Sequence, residues 1–254
     1  MNTAFAADNQ LMTGAILRRL FNPAETHNEY GHRVFGLWNG TDGLAPPDHL
    51  GQTFPTTTTH YVPRQNAILD SADLEDAARM IQDKGYGINN SHLLVFANPQ
   101  ESELIQGWRA GKESRTGGPV AKFDYIPSKN SFPYLTDQNI VGETAPTDYN
   151  GLEILGSYGP MYLTQSHFVP KGYLIVAATS GPNSENNTVG VRVHELPEHQ
   201  GLRLLPGSQP GYPLINSFYT RCFGTGVRHR SAAVAIQVTA GTTYTKPPDS
   251  AIPV

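Results

Sequence analysis

The chain of 254 residues contains one cysteine, Cys222, and its Asp, Glu, Lys and Arg residues together make up only 16% of it. A single cysteine excludes an intrachain disulfide and a metal site built from several thiolates, and it fits a reducing compartment. No apolar run approaches the roughly 18 residues of a membrane span. The N-terminus lacks the basic segment and long apolar core of a secretory signal peptide. The net charge of −4 argues against a nucleic-acid binder driven by positive charge.

The low content of charged residues also bears on what covers the surface of the protein. An ordinary soluble domain has roughly 25% charged residues. This chain has fewer, and it has 25 glycines and 20 prolines, which favour turns. One interpretation is that neighbouring subunits cover part of the surface. The other is an ordinary β-rich domain with many loops, and composition does not separate the two.

Two helices are predicted in the first half of the chain. Asp70 can cap a helix over Ser71–Lys84, and Gly85 is placed to end it. Its apolar residues recur at helical spacing on one face. A strand over His92–Ala97 follows, and Asn98-Pro99 then opens a second helix that ends near Gly111. The apolar face of the first helix consists of Leu74, Ala77, Ala78 and Ile81.

The second half of the chain reads as β structure, and the segregation of helices and strands predicts the α+β class. The predicted strands are Leu152–Leu155, Met161–Phe168, Tyr173–Ala178, Val189–His194, Leu202–Leu205 and Ser231–Val238. Residues 21–62 differ: Arg33–Trp38 is a plausible strand and Thr53–Val62 should be extended. We therefore expect a long hairpin or loop there that makes little core of its own.

The stretch Tyr212–Val238 has the composition of an element that docks against other subunits. Its aromatic residues offer large contact areas, and the triplet Arg228-His229-Arg230 adds donors beside a strand. The alternative for the triplet is a strand end with solvated cations. The candidate contact residues in this stretch are Phe218, Tyr219, Arg228 and Arg230.

The sequence matches the motifs of known catalytic sites only in part. Pro197 follows His194-Glu195 too closely for the helix of an H-E-x-x-H metal site. Ser157 stands one position too early for a nucleophile elbow. Cys222 is expected to be buried as a packing residue. The sequence therefore predicts no catalytic residue, no cofactor-binding residue, no metal ligand and no cofactor, although a hydrolase on a β-rich fold stays an alternative.

The order of elements resembles that of the major capsid proteins of tailed bacteriophages with the HK97-type fold. In that family an N-terminal arm and an extended loop precede a spine helix, and peripheral and axial domains follow. The corresponding segments are Phe21–Val62 for the loop, Asp70–Lys84 for the spine helix, Leu93–Trp108 for entry into the axial domain, Val169–Ala178 for a strand after a proline turn, and Phe223–Val238 for the closing strands.

The resemblance implies a division of the chain. It assigns residues 1–20 to an N-terminal arm, 21–62 to the extended loop, 63–90 and 186–230 to a peripheral domain with spine helix 70–84, 91–185 and 231–245 to an axial domain, and 246–254 to a C-terminal tail. The loop would lie over a neighbour, so that Phe35, Leu37 and Trp38 join the candidate contact residues.

The resemblance also implies a function. The chain would assemble with copies of itself, as pentamers and hexamers, into an icosahedral shell around double-stranded DNA that touches the inner wall loosely. A scaffolding protein and a portal would be partners during assembly, no membrane would be involved, and the location would be the virion, assembled in the host bacterial cytoplasm. Alternatives are the shell of an encapsulin, a cellular nanocompartment with the same fold, and a minor decoration or tail protein.

Overall fold

The computed structural model describes residues 2–28, 30–89, 91–129, 145–207 and 216–253, so that Tyr212, at the start of the predicted docking element, lies outside the described residues. The helices are α1 (Asn2–Phe21), α2 (Ser71–Gln82) and α3 (Pro99–Gln106). The strands are β1 (Thr26–His27), β2 (Arg33–Val34), β3 (Tyr61–Pro63), β4 (His92–Ala97), β5 (Tyr125–Pro127), β6 (Asp148–Tyr149), β7 (Leu152–Glu153), β8 (Gly156–Tyr158), β9 (Met161–Gln165), β10 (Tyr173–Thr179), β11 (Val189–Val193), β12 (Arg203–Pro206), β13 (Ser217–Thr220), β14 (Phe223–Val227) and β15 (Ala233–Gln237).

A seven-stranded mixed sheet forms the centre of the protein, in the order β3-β15-β10-β4-β9-β8-β5. The pairs β15–β3 and β4–β9 are parallel, and the others are antiparallel. Strands β4, β10 and β15 are near-continuous apolar runs, which suits strands buried on both faces. Within β10, Leu174 and Val176 pack into one core and Ile175 into the other.

Each face of the sheet is covered by its own layer. Helices α2 and α3 cover the first face, where Leu74, Ile81 and Ile105 are buried. Helix α1 and Ile252, near the end of the chain, cover the second face. No helix among the described residues is both long enough and apolar enough to span a membrane. The α+β class predicted from the sequence is confirmed.

Helix α2 begins where the sequence predicts and ends two residues earlier, at Gln82 instead of Lys84. At its start the backbone amide of Asp73 donates to Oδ1 of Asp70 over 3.3 Å, and the amide of Asp70 donates to Oδ2 of Asp73 over 3.0 Å. At its end, Lys84 donates to the carbonyl of Ile81, so the last turn tightens into i→i−3 hydrogen bonds.

Asp73 is buried at the start of α2 beside charged neighbours. Burial raises the pKa of its carboxyl from an ordinary 3.8 to about 6, although the Asp70 amide and Arg64, whose Nε lies 3.3 Å from Oδ1, favour the charged form. Asp70 and Asp76 add repulsion that raises this pKa further. The folded protein therefore binds this proton more tightly than the unfolded chain.

We expect the free energy of unfolding to fall as the pH rises from about 4 to about 6, and Asp73→Asn to remove this dependence while keeping an acceptor for the cap. Relative to the variant, the wild type should lose about 1–3 kcal/mol across that window. Urea unfolding at several pH values measures the difference. Asp83→Asn, at an exposed residue just after the end of the same helix, is the matched control. Parallel curves for wild type and Asp73→Asn would contradict the prediction.

Residues 21–62 differ from the long, coreless hairpin that we expected. Strands β1 and β2 pair over two residues each, and the strands predicted over Arg33–Trp38 and Thr53–Val62 shrink to Arg33–Val34 and Tyr61–Pro63. The segment instead folds back on its own protomer. Trp38 donates from its amide to the carbonyl of Arg230 over 3.0 Å, and His60 donates to the carbonyl of Trp38 over 2.7 Å.

Strands β11 to β14 leave the central sheet between β10 and β15. Val189–Val193 pairs with Phe223–Val227, and farther out Arg203–Pro206 pairs with Ser217–Thr220, all antiparallel. We call these four strands the ribbon, with β11 and β14 as its base and β12 and β13 as its distal half. The sequence predicts β11 and β12 nearly to the residue, and β14 lies in the segment Phe223–Val238 that the resemblance assigns to the closing strands, but β13 is not among the predicted strands.

Candidate functional site

The base of the ribbon is held by the rest of the protomer. Val189 and Val227 pack against the core beneath α1. Arg221, between β13 and β14, pairs through Nε with Oδ1 of Asp8 on α1 over 2.8 Å, where the Asp8 side chain is only 7% exposed. An ion pair so shielded from water helps to fix the direction in which the ribbon leaves the protomer.

The distal half of the ribbon is exposed and apolar. Leu204 lies opposite Tyr219, and Leu205 lies opposite Phe218. The exposed fractions of these four residues are 56% for Leu204, 43% for Tyr219, 41% for Leu205 and 62% for Phe218. Scattered exposed apolar residues are common on proteins, but a contiguous group marks an interaction surface. The predicted contact residues Phe218 and Tyr219 therefore lie on a surface that a partner can reach.

Arg230, in contrast to these exposed residues, is buried. Its guanidinium is buried and pairs with the carboxylate of Asp42, with Nη1 donating to Oδ1 over 3.2 Å. Nε donates to the carbonyl of Gly36 over 3.0 Å, and Nη2 donates to that of Leu37 over 3.2 Å. Nη1 also donates to the carbonyl of Leu44. Arg230 thus holds residues 36–44 onto the protomer that contains it.

The other loop residues predicted to contact a neighbour join the same internal cluster. Leu37 is fully buried and Trp38 is 2% exposed, while Phe35 is half-buried with the guanidinium carbon of Arg230 5.0 Å from its ring centre. Three of the candidates for inter-subunit contact, Leu37, Trp38 and Arg230, are thus buried within their own protomer. A sequence shows that these residues are apolar or charged, but it does not show which chain buries them.

Arg228 stands at the exposed base of the ribbon, against Gly190 of β11. It stays a candidate contact residue, as do Phe35, Phe218 and Tyr219. Sequence reasoning placed Leu204 and Leu205 in a strand but did not mark them as contact candidates. Their pairing with Tyr219 and Phe218 depends on the register between β12 and β13, which no local sequence pattern predicts.

Two groups that could support catalysis, His60 and Cys222, lie in different environments. His60 is buried with Nδ1 donating to the carbonyl of Ala233 over 2.8 Å, and burial lowers its pKa to about 4. Cys222 is exposed in the break between β13 and β14, where no strand covers it, so its predicted burial is wrong. Within the described residues, no group of three His, Cys, Asp or Glu side chains could hold a metal ion.

Comparison with solved structures gives a more specific result than the site chemistry. A chain of Mycobacterium phage Patience aligns with a TM-score of 0.80 and 33% sequence identity, over 98% of this chain and 66% of that chain. The holo-SrpI encapsulin complex from Synechococcus elongatus PCC 7942 aligns with a TM-score of 0.50 and 15% identity, over 97% of this chain and 67% of that chain. The fold is encapsulin-like. Neither a protein-family model nor a curated protein sequence matches the chain.

The encapsulin-like fold agrees with the HK97-type fold that the order of elements predicts from the sequence. The agreement extends over nearly the whole chain, whereas this chain spans about two thirds of the length of each of the two structures. The boundaries of the predicted peripheral and axial domains stay a prediction. The structural likeness is thus to a chain of a bacteriophage and, in fold, to an encapsulin.

Proposed function

We propose that this chain is the major capsid protein of a tailed bacteriophage and assembles into an icosahedral shell around double-stranded DNA. The observation that supports the proposal most directly is the 33% identity and TM-score of 0.80 to a phage chain over 98% of this sequence. The low content of charged residues and the exposed apolar distal half of the ribbon support it as well, since both suit a protomer covered by neighbours.

In this proposal the work of the protein is assembly. Copies associate through heterologous contacts into pentamers and hexamers, with a scaffolding protein and a portal as partners. Exposed contact residues include Phe218, Tyr219 and Arg228, with Phe35 partly accessible. The net charge of −4 suits an inner wall that holds DNA loosely, because strong binding needs many cationic phosphate contacts. The mature location is the virion, after assembly in the host cytoplasm.

The test is to express the chain alone and with its scaffolding partner, and to analyse the product by sedimentation and negative-stain microscopy. We expect closed particles in which this chain is the most abundant component, and nuclease-protected DNA in particles that also carry the packaging machinery. A protein that stays monomeric under all these conditions would contradict the proposal. A chain present in a few copies per particle would instead be a decoration or tail protein.

The likeness to an encapsulin favours one second candidate, a nanocompartment shell. The contents of the particle separate the two functions. Particles that enclose a co-purifying enzyme and no nuclease-protected DNA would identify a nanocompartment. Particles filled with DNA would identify a capsid.

A further inference from the structure

We propose that copies of this chain cover the distal half of the ribbon on both of its faces, so that the ribbon inserts between neighbouring surfaces in the assembly. The inference rests on the proposed shell function and goes beyond it by naming the inserted element. It differs from the expectation drawn from the sequence, in which the loop over residues 21–62 covers a neighbour.

The register of β12 and β13 places apolar side chains on both faces. Directly opposed residues of an antiparallel pair share a face, and successive residues alternate between faces. Leu204 and Tyr219 therefore lie on one face, while Leu205 and Phe218 lie on the other. Each face carries one aromatic and one aliphatic side chain, and all four are at least 41% exposed.

Among the described residues, no part of the protomer covers either face of this distal half. Strands β12 and β13 pair only with each other among the described strands. An isolated two-stranded hairpin is at best marginally stable in water, and three strands or a packed hydrophobic face are needed for independent stability. A ribbon that was to remain in solvent would be expected to carry polar side chains on at least one face. These strands are therefore suited to burial on both sides.

A second copy is the occupant that the charges favour. Residues 186–230 contain five arginines and two glutamates, a net charge of +3, so the remainder of a chain of net charge −4 carries −7. Arg221 and Arg230 are paired with Asp8 and Asp42 of the same protomer. The arginines Arg192, Arg203 and Arg228 then remain with two glutamates, a net charge of +1 against −5 on the remainder, and Arg192 and Arg228 are exposed at the base of the ribbon. An acidic remainder and a basic arm on the same chain are complementary between copies.

Coverage on two faces also restricts the symmetry of the contact. A flat two-fold contact would bury one face of the ribbon and leave the other in water. A heterologous contact, in which the ribbon of one copy meets a different surface of the next, covers both faces and repeats around a closed ring. The ribbon is well placed for such insertion because its base is fixed to α1 through Asp8 and Arg221.

Thiol accessibility tests the proposal on each face separately. In a Cys222→Ser background, one variant carries Tyr219→Cys and another carries Leu205→Cys. A third carries Val120→Cys, a residue outside the ribbon with 55% exposure, as the matched control. Each is alkylated with iodoacetamide in assembled particles and in dissociated protomers. We expect both ribbon thiols to react about tenfold or more slowly in particles, equivalent to a covered state favoured by about 1.4 kcal/mol.

The outcomes separate this proposal from the proposed function. Closed particles in which one or both ribbon thiols react as fast as in protomers would overturn the two-faced insertion and leave the shell function intact. A wild-type chain that forms no particles would overturn the shell function and the insertion together. Protection of both ribbon thiols in closed particles supports both.

A second measurement shows whether the contact is needed for assembly. The double variant Leu205→Ser, Phe218→Ser removes the apolar side chains of one face, and Leu204→Ser, Tyr219→Ser removes those of the other. We expect either double variant to abolish closed particles while leaving the urea midpoint of the unassembled protomer unchanged, because all four residues are exposed there. Val120→Ser should assemble normally. Normal assembly of either double variant would contradict the proposal.

Discussion

Arg230→Ala is expected to lower the free energy of unfolding of the unassembled protomer by about 3–5 kcal/mol, measured by urea unfolding. The substitution leaves the Asp42 carboxylate, whose side chain is only 7% exposed, without its partner. It also removes the hydrogen bonds to the carbonyls of Gly36, Leu37 and Leu44. A buried charge without a partner is one of the few causes of so large a loss.

The neighbouring arginine provides the control for this prediction. Arg228 is exposed two residues away, so Arg228→Ala should change the free energy of unfolding by less than about 0.5 kcal/mol. The double variant Arg230→Met, Asp42→Leu should recover much of the stability, because it removes both charges and keeps apolar volume. A loss below about 1 kcal/mol for Arg230→Ala, or no recovery in the double variant, would contradict the role of Arg230 as an internal clamp.

Trp38→Ala is expected to destabilise the same protomer by about 3–5 kcal/mol, because it removes a large buried side chain and leaves a cavity. The indole is 2% exposed, its ring centre lies 6.0 Å from that of Phe54 at an interplanar angle of 79°, and Nε1 donates to Oγ1 of Thr58 over 3.3 Å. The measurement is the free energy of unfolding of the unassembled chain.

This experiment also decides between the two accounts of residues 21–62. If the partner of Trp38 were another chain, Trp38→Ala would block assembly and leave the protomer stable. The structure leads us to expect the opposite result, in which Trp38→Ala lowers the stability of the unassembled protomer itself. Phe218→Ala on the exposed ribbon is the matched aromatic control, with little effect on protomer stability. Equal stability of wild type and Trp38→Ala would show that residues 36–44 do not belong to the core of the protomer.

Local signals account for the parts of the fold that the sequence predicted correctly. Asp70 marked the start of α2 within one residue, because a helix N-terminus needs an acceptor for its free amides. Asn98-Pro99 marked the start of α3 for the same reason. The buried strands β4, β10 and β15 were visible as apolar runs. These signals operate within a few residues of chain.

The burial of the candidate contact residues was harder to predict, because the buried candidates and the exposed candidates have similar compositions. Leu37-Trp38 and Phe218-Tyr219 are both apolar or aromatic pairs in turn-rich surroundings, yet the first is buried and the second exposed. The difference comes from Arg230, which is 188 positions from its ion-pair partner Asp42. The register of β12 and β13 was not predicted for a related reason, since these strands meet only when the chain returns along the ribbon.

By itself the sequence determined the α+β class, the positions of the capped helices and the apolar strands of the central sheet. Those features depend on backbone hydrogen bonding and on the periodicity of apolar residues, which are local. Only the tertiary structure decided which apolar and charged residues face the interior of their own protomer and which remain for a neighbour. That choice depends on contacts between distant segments, such as Asp42 with Arg230, where burial must outweigh the cost of ordering both partners.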